Sequence, residues 1–305
     1  MNRPALPDLH RHLDGSLRPS TLAELAAARG LTVPPDLAFS PGMGLAAALS
    51  RFAFVLALIQ HPRDVRRVAS ELCEDAAAEG VTTLEVRFAP QLHGGAAPGA
   101  IVEAALAGLD GRAGLILCGL YGEPPAVLEE LVELARTRPG VVGIDLAGGP
   151  GPGQRWALED YAPAFRRAAE LGIGRTVHAA EGRAPGEIRR AIEALQATRL
   201  GHATTLLEPD EDRPPVLDLV LAREVLIEAC PTSNVHTGAI PRLEAHPLPR
   251  WLTLGVRACV NSDNTLLSAT DARREHERAL AIPGMTPALL ARAVACGHAG
   301  AFRRG

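Results

Sequence analysis

The chain has 305 residues, 47% of them apolar and 22% charged, with a formal net charge of -4 and an isoelectric point near 6.2. That balance gives no electrostatic ground for binding nucleic acid or a membrane surface, so the expected partner is a small molecule. The length falls in the range of about 200 to 400 residues over which α/β barrels run as one domain, and a single domain over residues 1–305 is expected.

In chain order, Met1-Asn2-Arg3-Pro4 leads into Pro7-Asp8 without the apolar run of a secretory signal, and a cytoplasmic protein is expected. A first strand is read at 6–12 (LPDLHRH), followed by a helix from Pro19-Ser20 to Arg29, stopped by Gly30. The most apolar window, 44–59, is broken by Ser50-Arg51 and too short to span a bilayer, so it reads as a core or amphipathic helix. Pro62-Arg63-Asp64 opens a long helix to Glu79, closed by Gly80. From there strands alternate with helices. Strands are expected at 82–89, 114–120, 141–147, 173–179, 198–203, 224–230 and 256–262. Helices are expected at 98–109, 125–137, 159–171, 185–196, 214–222, 247–254, 270–280 and from Pro287 to about Phe302. Eight β/α units point to a closed (β/α)8 TIM-type barrel, and no Gly-rich first βα turn favours the open doubly wound sheet. The extra helices at 20–79, inserted between strands 1 and 2, can form a lid over the catalytic face.

Two compositional absences bound the chemistry. All 31 positive side chains are arginine, which excludes a lysine Schiff base, a phosphate-loop lysine and a lysine carbamate bridging two metals. The five cysteines, Cys73, Cys118, Cys230, Cys259 and Cys296, are widely spaced with no C-x-x-C pair and read as reduced, buried thiols.

In a barrel, function gathers where strands end at the C-terminal face. His10 and His12, at i and i+2, share one face of the first strand; His178 ends the fifth, with Glu181 just beyond; His202 ends the sixth; Asp263-Asn264 follow the eighth. His10, His12, His178 and Asp263 together read as a metal site, four satisfied structural residues being the alternative. Three imidazoles and a carboxylate suit Zn²⁺ better than Fe²⁺ or Mn²⁺, and the acid/base residues left beside it favour catalysis over a closed structural site.

The segments HRHLDGSLRP (10–19), EVRFAP (85–90), GIDLAG (143–148), TVHAAEG (176–182), RLGHA (199–203), EACPTSNVHTGA (228–239) and VNSDN (260–264) occur in the order of the adenosine deaminase family, within the amidohydrolase group, which the chain resembles over almost its whole length. The resemblance implies His10, His12, His178 and Asp263 as ligands of one zinc ion, and His202 as the residue that takes a proton from the attacking water and orients it. It implies Glu181 as the acid that protonates purine N1, Gly148 as a backbone donor to N3, Asp14 as the contact to the ribose 5′-hydroxyl and Asn264 as the partner of N7. The implied reaction is hydrolytic deamination of adenosine or 2′-deoxyadenosine to inosine or deoxyinosine and ammonia. Attack at C6 of an electron-rich ring needs N1 protonated, so Glu181 must hold a proton in the substrate complex, which burial beneath the base would favour.

The chain departs from the family pattern at four places. Asn264 stands where an aspartate is usual, and its amide donates to N7 at any pH. Ala180 replaces a glycine in a tight turn beside the substrate, where its methyl would narrow the pocket; the connections around 94–113 and 148–158 are trimmed; and His236 is expected to be structural or solvated, contact with a substrate being the alternative. Asp14 before Gly15 could equally be a turn aspartate. Phe52, Phe54 and Leu58 are candidates to cover the ribose. The alternative substrates are adenine or a 5′-modified adenosine such as aminodeoxyfutalosine. A lactonase or phosphotriesterase on the same barrel and a non-catalytic nucleoside-binding protein are the readings from other classes.

Overall fold

The computed structural model describes residues 5–151, 153–209 and 215–302. Eight parallel strands form one sheet in sequence order: β1 (Leu6–His12), β2 (Val81–Phe88), β3 (Gly114–Leu120), β4 (Val141–Ala147), β5 (Gly174–Ala179), β6 (Arg199–His202), β7 (Leu226–Ala229) and β8 (Arg257–Val260). The sheet closes through the segment after β8. Asp263 N–H donates to His10 O at 2.8 Å and His12 N–H donates to Asp263 O at 2.7 Å, with Arg11 paired in parallel to Asp263. The chain is thus a (β/α)8 barrel, and each strand runs within about two residues of its expected bounds because apolar, two-face-buried runs between Gly and Pro breaks define parallel strands well.

The helices are α1 (Pro19–Ala28), α2 (Leu45–Leu58), α3 (Pro62–Glu79), α4 (Pro98–Leu109), α5 (Pro125–Arg136), α6 (Ala162–Glu170), α7 (Gly186–Glu193), α8 (Val216–Ala222), α9 (Pro231–His236), α10 (Leu248–Thr253), α11 (Ala272–Ala281) and α12 (Pro287–Gly300). Position 214, where α8 was expected to begin, lies outside the described residues. The expected helix at 159–171 starts as a 3-10 turn, Leu158–Tyr161, before α6. Proline in the first turn opens α1, α3, α4, α5 and α12, where a missing N–H is harmless. Gly80, at φ 92°, ends α3 directly before β2. Thr286 caps α12 by accepting from Leu289 N–H at 3.2 Å, and Gly297 lets that helix press onto β1, since an added Cβ there would meet Pro7 at 2.5 Å. Cys296, on the same helix, packs on Leu9, Leu226 and Cys259 yet stays partly exposed, unlike the four other cysteines, which are buried as expected. No single helix among the described residues is long and apolar enough to cross a membrane.

Candidate active site

The barrel interior beneath its C-terminal face holds charge rather than hydrocarbon. Arg87, Asp145, Arg199 and Glu228 are essentially inaccessible to solvent, and each side chain projects from a strand of the barrel. Such groups persist only when paired. Arg87 donates to Asp145 Oδ2 at 2.8 Å and to Glu228 Oε2 at 2.7 Å, while Arg199 Nε donates to Glu228 Oε1 at 2.6 Å. Burial alone would raise Glu228, but Arg87 and Arg199 outweigh it and bring its carboxyl down to about 2. Asp145 is likewise held well below the carboxylate range, His178 and Arg87 overcoming its burial.

These carboxylates orient the imidazoles above them. His10 Nδ1 donates to Glu228 Oε2 at 2.7 Å, and His178 Nδ1 donates to Asp145 Oδ2 at 3.1 Å. With the protons fixed on Nδ1, each Nε2 turns a lone pair to the same space. His12 Nε2 lies 3.3 Å from His178 Nε2, and Asp263 Oδ1 lies 3.5 Å from His10 Nε2 and 3.4 Å from His12 Nε2. His10 Nε2 is buried with no hydrogen-bond partner, and donor atoms of His10, His12 and His178 fall within 4.8 Å of one another. Burial first, and then neighbouring positive groups, lower the basicity of His10 and His12, keeping both rings neutral. A cluster of neutral nitrogens and one carboxylate, with an orphaned buried lone pair at its centre, fits a divalent cation of the zinc type. Gly201 is required for this packing, since an added Cβ would lie 2.8 Å from the His10 ring.

Three residues here hold left-handed backbone despite carrying side chains: Ala180 (φ 52°), His202 (φ 66°) and Asp263 (φ 59°). Each follows or ends a strand, and the turn aims a neighbouring or own side chain into the barrel mouth. The Ala180 methyl is buried and does not reach either cavity, so the narrowing expected from this departure does not occur. His202 packs its ring on His10 and His178, with centroids 5.0 and 5.1 Å away, and burial lowers its basicity against the pull of Glu181 and Asp263. Glu181 is also buried; burial would raise it, but His202, the Thr237 hydroxyl, His178 and Arg183 hold it below the ordinary value. The expected rise belongs to the complex with a base over Glu181; without one, the charges and donors facing Glu181 outweigh its burial.

Two adjoining cavities open above the cluster. The smaller is lined by His12, His178, Glu181, His202, Asp263 and Asn264 among others. The larger, of about 260 Å³, is bounded by His12, Asp14, Phe52, Tyr121 and Gly148 with aliphatic side chains between them. Gly148, at φ 80°, borders both. Asp14 Oδ1 is buried without a partner, and burial pushes this carboxyl up to about 7, its own backbone amide opposing and Asp263 adding to the rise. Asn264 sets its Oδ1 against Gly15, where an added Cβ would lie 2.0 Å away. Of the three candidates to cover the ribose, Phe52 lines both cavities, while Leu58 is fully buried in the core and Phe54 packs against it. His236 is structural: it is buried, beside Ser268 and edge-on to Phe39.

His10, His12, Asp14, Gly148, His178, Glu181, His202, Asp263 and Asn264 all lie at this one end of the barrel. The sequence reading missed Asp145, Arg87 and Glu228 below the histidines and Asn234 and Thr237 beside Glu181. For the first three, a signal was present: an ionisable side chain inside an apolar strand must have a buried partner.

Comparison with known proteins agrees with this geometry. The sequence profile described as Adenosine deaminase matches residues 6–304. An adenosine deaminase of Enterococcus faecalis is 34% identical over 287 residues, covering 88% of this chain and 83% of that protein. Among solved structures, an adenine deaminase from Arthrobacter aurescens superposes with a TM-score of 0.87 at 26% identity, covering 99% of this chain and 95% of that one. An N6-mAMP deaminase from arabidopsis does so with a TM-score of 0.85 at 25% identity, covering 98% and 94%.

Proposed function

Because the chain belongs to the adenosine deaminase family, we propose that it hydrolyses the 6-amino group of a purine nucleoside, adenosine or 2′-deoxyadenosine, to give inosine or deoxyinosine and ammonia. The observation that carries this reading is the convergence of a His₃Asp cluster, the acid/base pair Glu181 and His202 and a purine-sized cavity on one barrel end. His10, His12, His178 and Asp263 would hold one Zn²⁺. Bound there, the ion supplies a Lewis acid that brings the pKa of water from about 15.7 towards about 7.

The remaining steps fall to side chains of this chain. His202 orients the attacking water over C6, and the proton that this water gives up passes to the Asp263 carboxylate beside it and on to the 6-amino group, which leaves as ammonia. Glu181 carries the proton that goes to purine N1, making C6 electrophilic, and a purine seated over it removes the solvent and raises its carboxyl from the low value it otherwise holds. Gly148 N–H donates to N3, and Asn264 donates through its amide to N7, which only accepts. The segment 20–79 covers the site through Phe52 within one barrel domain. The free cysteines accord with a cytoplasmic location.

Asp14 supports a nucleoside over a free base. Its unpartnered Oδ1 borders the larger cavity as an acceptor for a ribose hydroxyl. Asp14→Ala should raise KM for adenosine about 10- to 100-fold, the ribose hydroxyl being left buried without its carboxyl acceptor, while leaving any turnover of adenine unchanged. Steady-state kinetics on adenosine, adenine and AMP check this. An equal loss on adenosine and adenine would remove Asp14 from the ribose.

A further inference from the structure

Behind Glu181 and His202 lies a chain of hydrogen bonds that begins at a backbone amide, where the direction of donation is fixed. Leu248 N–H, in the first turn of α10, donates to His246 Nδ1 at 3.1 Å. That nitrogen must therefore carry a lone pair, and in neutral His246 the proton sits on Nε2. His246 is buried, edge-on to Trp251, and burial lowers it to about 3, so the neutral ring is the relevant one. His246 Nε2–H then donates to Asn234 Oδ1 at 3.2 Å. This sets the amide the other way round at its far side: Asn234 Nδ2 donates one hydrogen to Glu181 Oε1 and the other to His202 Nδ1, each at 3.0 Å. Asn234 is completely buried in the short helix α9, and every one of its side-chain hydrogen-bonding groups is used.

Resting on the deaminase reading above, we propose that His246 and Asn234 are positioning residues that fix where the protons of the two acid/base groups lie: on Nε2 of His202, and on Oε2 rather than Oε1 of Glu181. His202 Nδ1 receives an N–H, so the neutral ring is protonated on its other nitrogen, and a ring nitrogen of His202 lies within 4.8 Å of donor atoms of His10 and Asp263. It therefore meets the attacking water as a hydrogen-bond donor. Of the two functions the resemblance implied for His202, orienting the water and taking its proton, the neutral ring performs the first. Glu181 Oε1 accepts from Asn234 and also from Thr237 Oγ1 at 2.7 Å, whereas Oε2 has no hydrogen-bond partner among the described residues. The proton destined for N1 thus rides on Oε2. The arrangement is built from outside the site, because its polarity is set by Leu248 N–H, a group on the far side of His246 from the site.

The test reads the tautomer directly. In metal-free protein labelled with ¹⁵N-histidine, long-range ¹H–¹⁵N correlation spectra should show His202, assigned by its loss in His202→Gln, with a protonated Nε2 and an unprotonated Nδ1. Asn234→Asp keeps the shape and replaces the donor facing His202 by an acceptor. It should move the His202 proton to Nδ1 and lower kcat on adenosine about a hundredfold or more, with KM within a fewfold of wild type. A wild-type His202 protonated on Nδ1 would overturn the proposal, and so would an Asn234→Asp protein that keeps the Nε2 tautomer or the full kcat. Should that variant fail to fold, the wild-type spectrum alone decides. The spectra need no substrate, so a protein that deaminates no purine would defeat the functional reading and leave the tautomer assignment standing.

Discussion

Glu181→Gln is expected to lower kcat for adenosine by about 10²- to 10⁴-fold while KM stays within a fewfold of wild type and the melting temperature barely moves. The reasoning is geometric. Glutamine fills the same volume, and its Oε1 can still accept from Asn234 Nδ2 and Thr237 Oγ1, so the site keeps its shape. The amide that then faces the substrate can hydrogen-bond to N1 but has no proton to give. A loss confined to kcat is the signature of an interaction made in the transition state. Steady-state kinetics at the purine absorbance, with thermal unfolding as the control, measure both parts. A variant deaminating at the wild-type rate would remove Glu181 from the reaction.

Glu228→Gln should damage the protein from beneath the site. Both carboxylate oxygens of Glu228 are saturated: Oε1 by Arg199 and Thr176, Oε2 by Arg87 and His10. An amide must turn its NH₂ towards one of these sets of donors and carries no charge, so Arg87 keeps only Asp145 and Arg199 only Glu85 as its buried counter-charge, and the mispaired donors left behind cost about 1–3 kcal/mol. If the NH₂ faces His10, Nδ1 has to accept, the proton moves to Nε2, and the lone pair proposed for the metal is lost. Zinc affinity should then fall about 10- to 100-fold. Urea unfolding and metal competition titration check the two effects. Acid has the same target in the wild type. Glu228 titrates near 2 in the folded protein against 4.5 ordinarily, so its stabilisation is complete above about pH 4.5 and disappears as pH falls towards 2. The variant should lack that slope.

How much of this was legible beforehand follows the physics of each feature. Most of the eight strands were readable as short runs with apolar residues bounded by turns and alternating with helical stretches, and α3 because Pro62 and Gly80 bracket it. The histidines at strand ends could be singled out for the same reason: strand ends in a barrel share one face. Helix α9 could not be read, since six residues carry no periodicity, and with it went the place of Asn234. The groups that hold Glu181 down in the absence of a purine were not legible, because burial is suggested by sequence whereas Thr237 and His202 come from distant turns. Phe52, Phe54 and Leu58 share helical spacing, and which of them faces a cavity depends on how α2 lies on the barrel, a packing fact with no local signal. The left-handed turns at Ala180, His202 and Asp263 are likewise imposed by tertiary structure on residues with no preference for them.

The central claim is that this barrel removes ammonia from the 6-position of an adenine nucleoside. The measurement that tests it most directly follows zinc-loaded protein with adenosine, 2′-deoxyadenosine, adenine, AMP and 5′-modified adenosines, scoring ammonia release together with the purine absorbance change. The account predicts stoichiometric inosine or deoxyinosine and ammonia from the two nucleosides, abolished by chelation and restored by Zn²⁺. Turnover confined to adenine or AMP, or no loss of the 6-amino group from any of them, would contradict it.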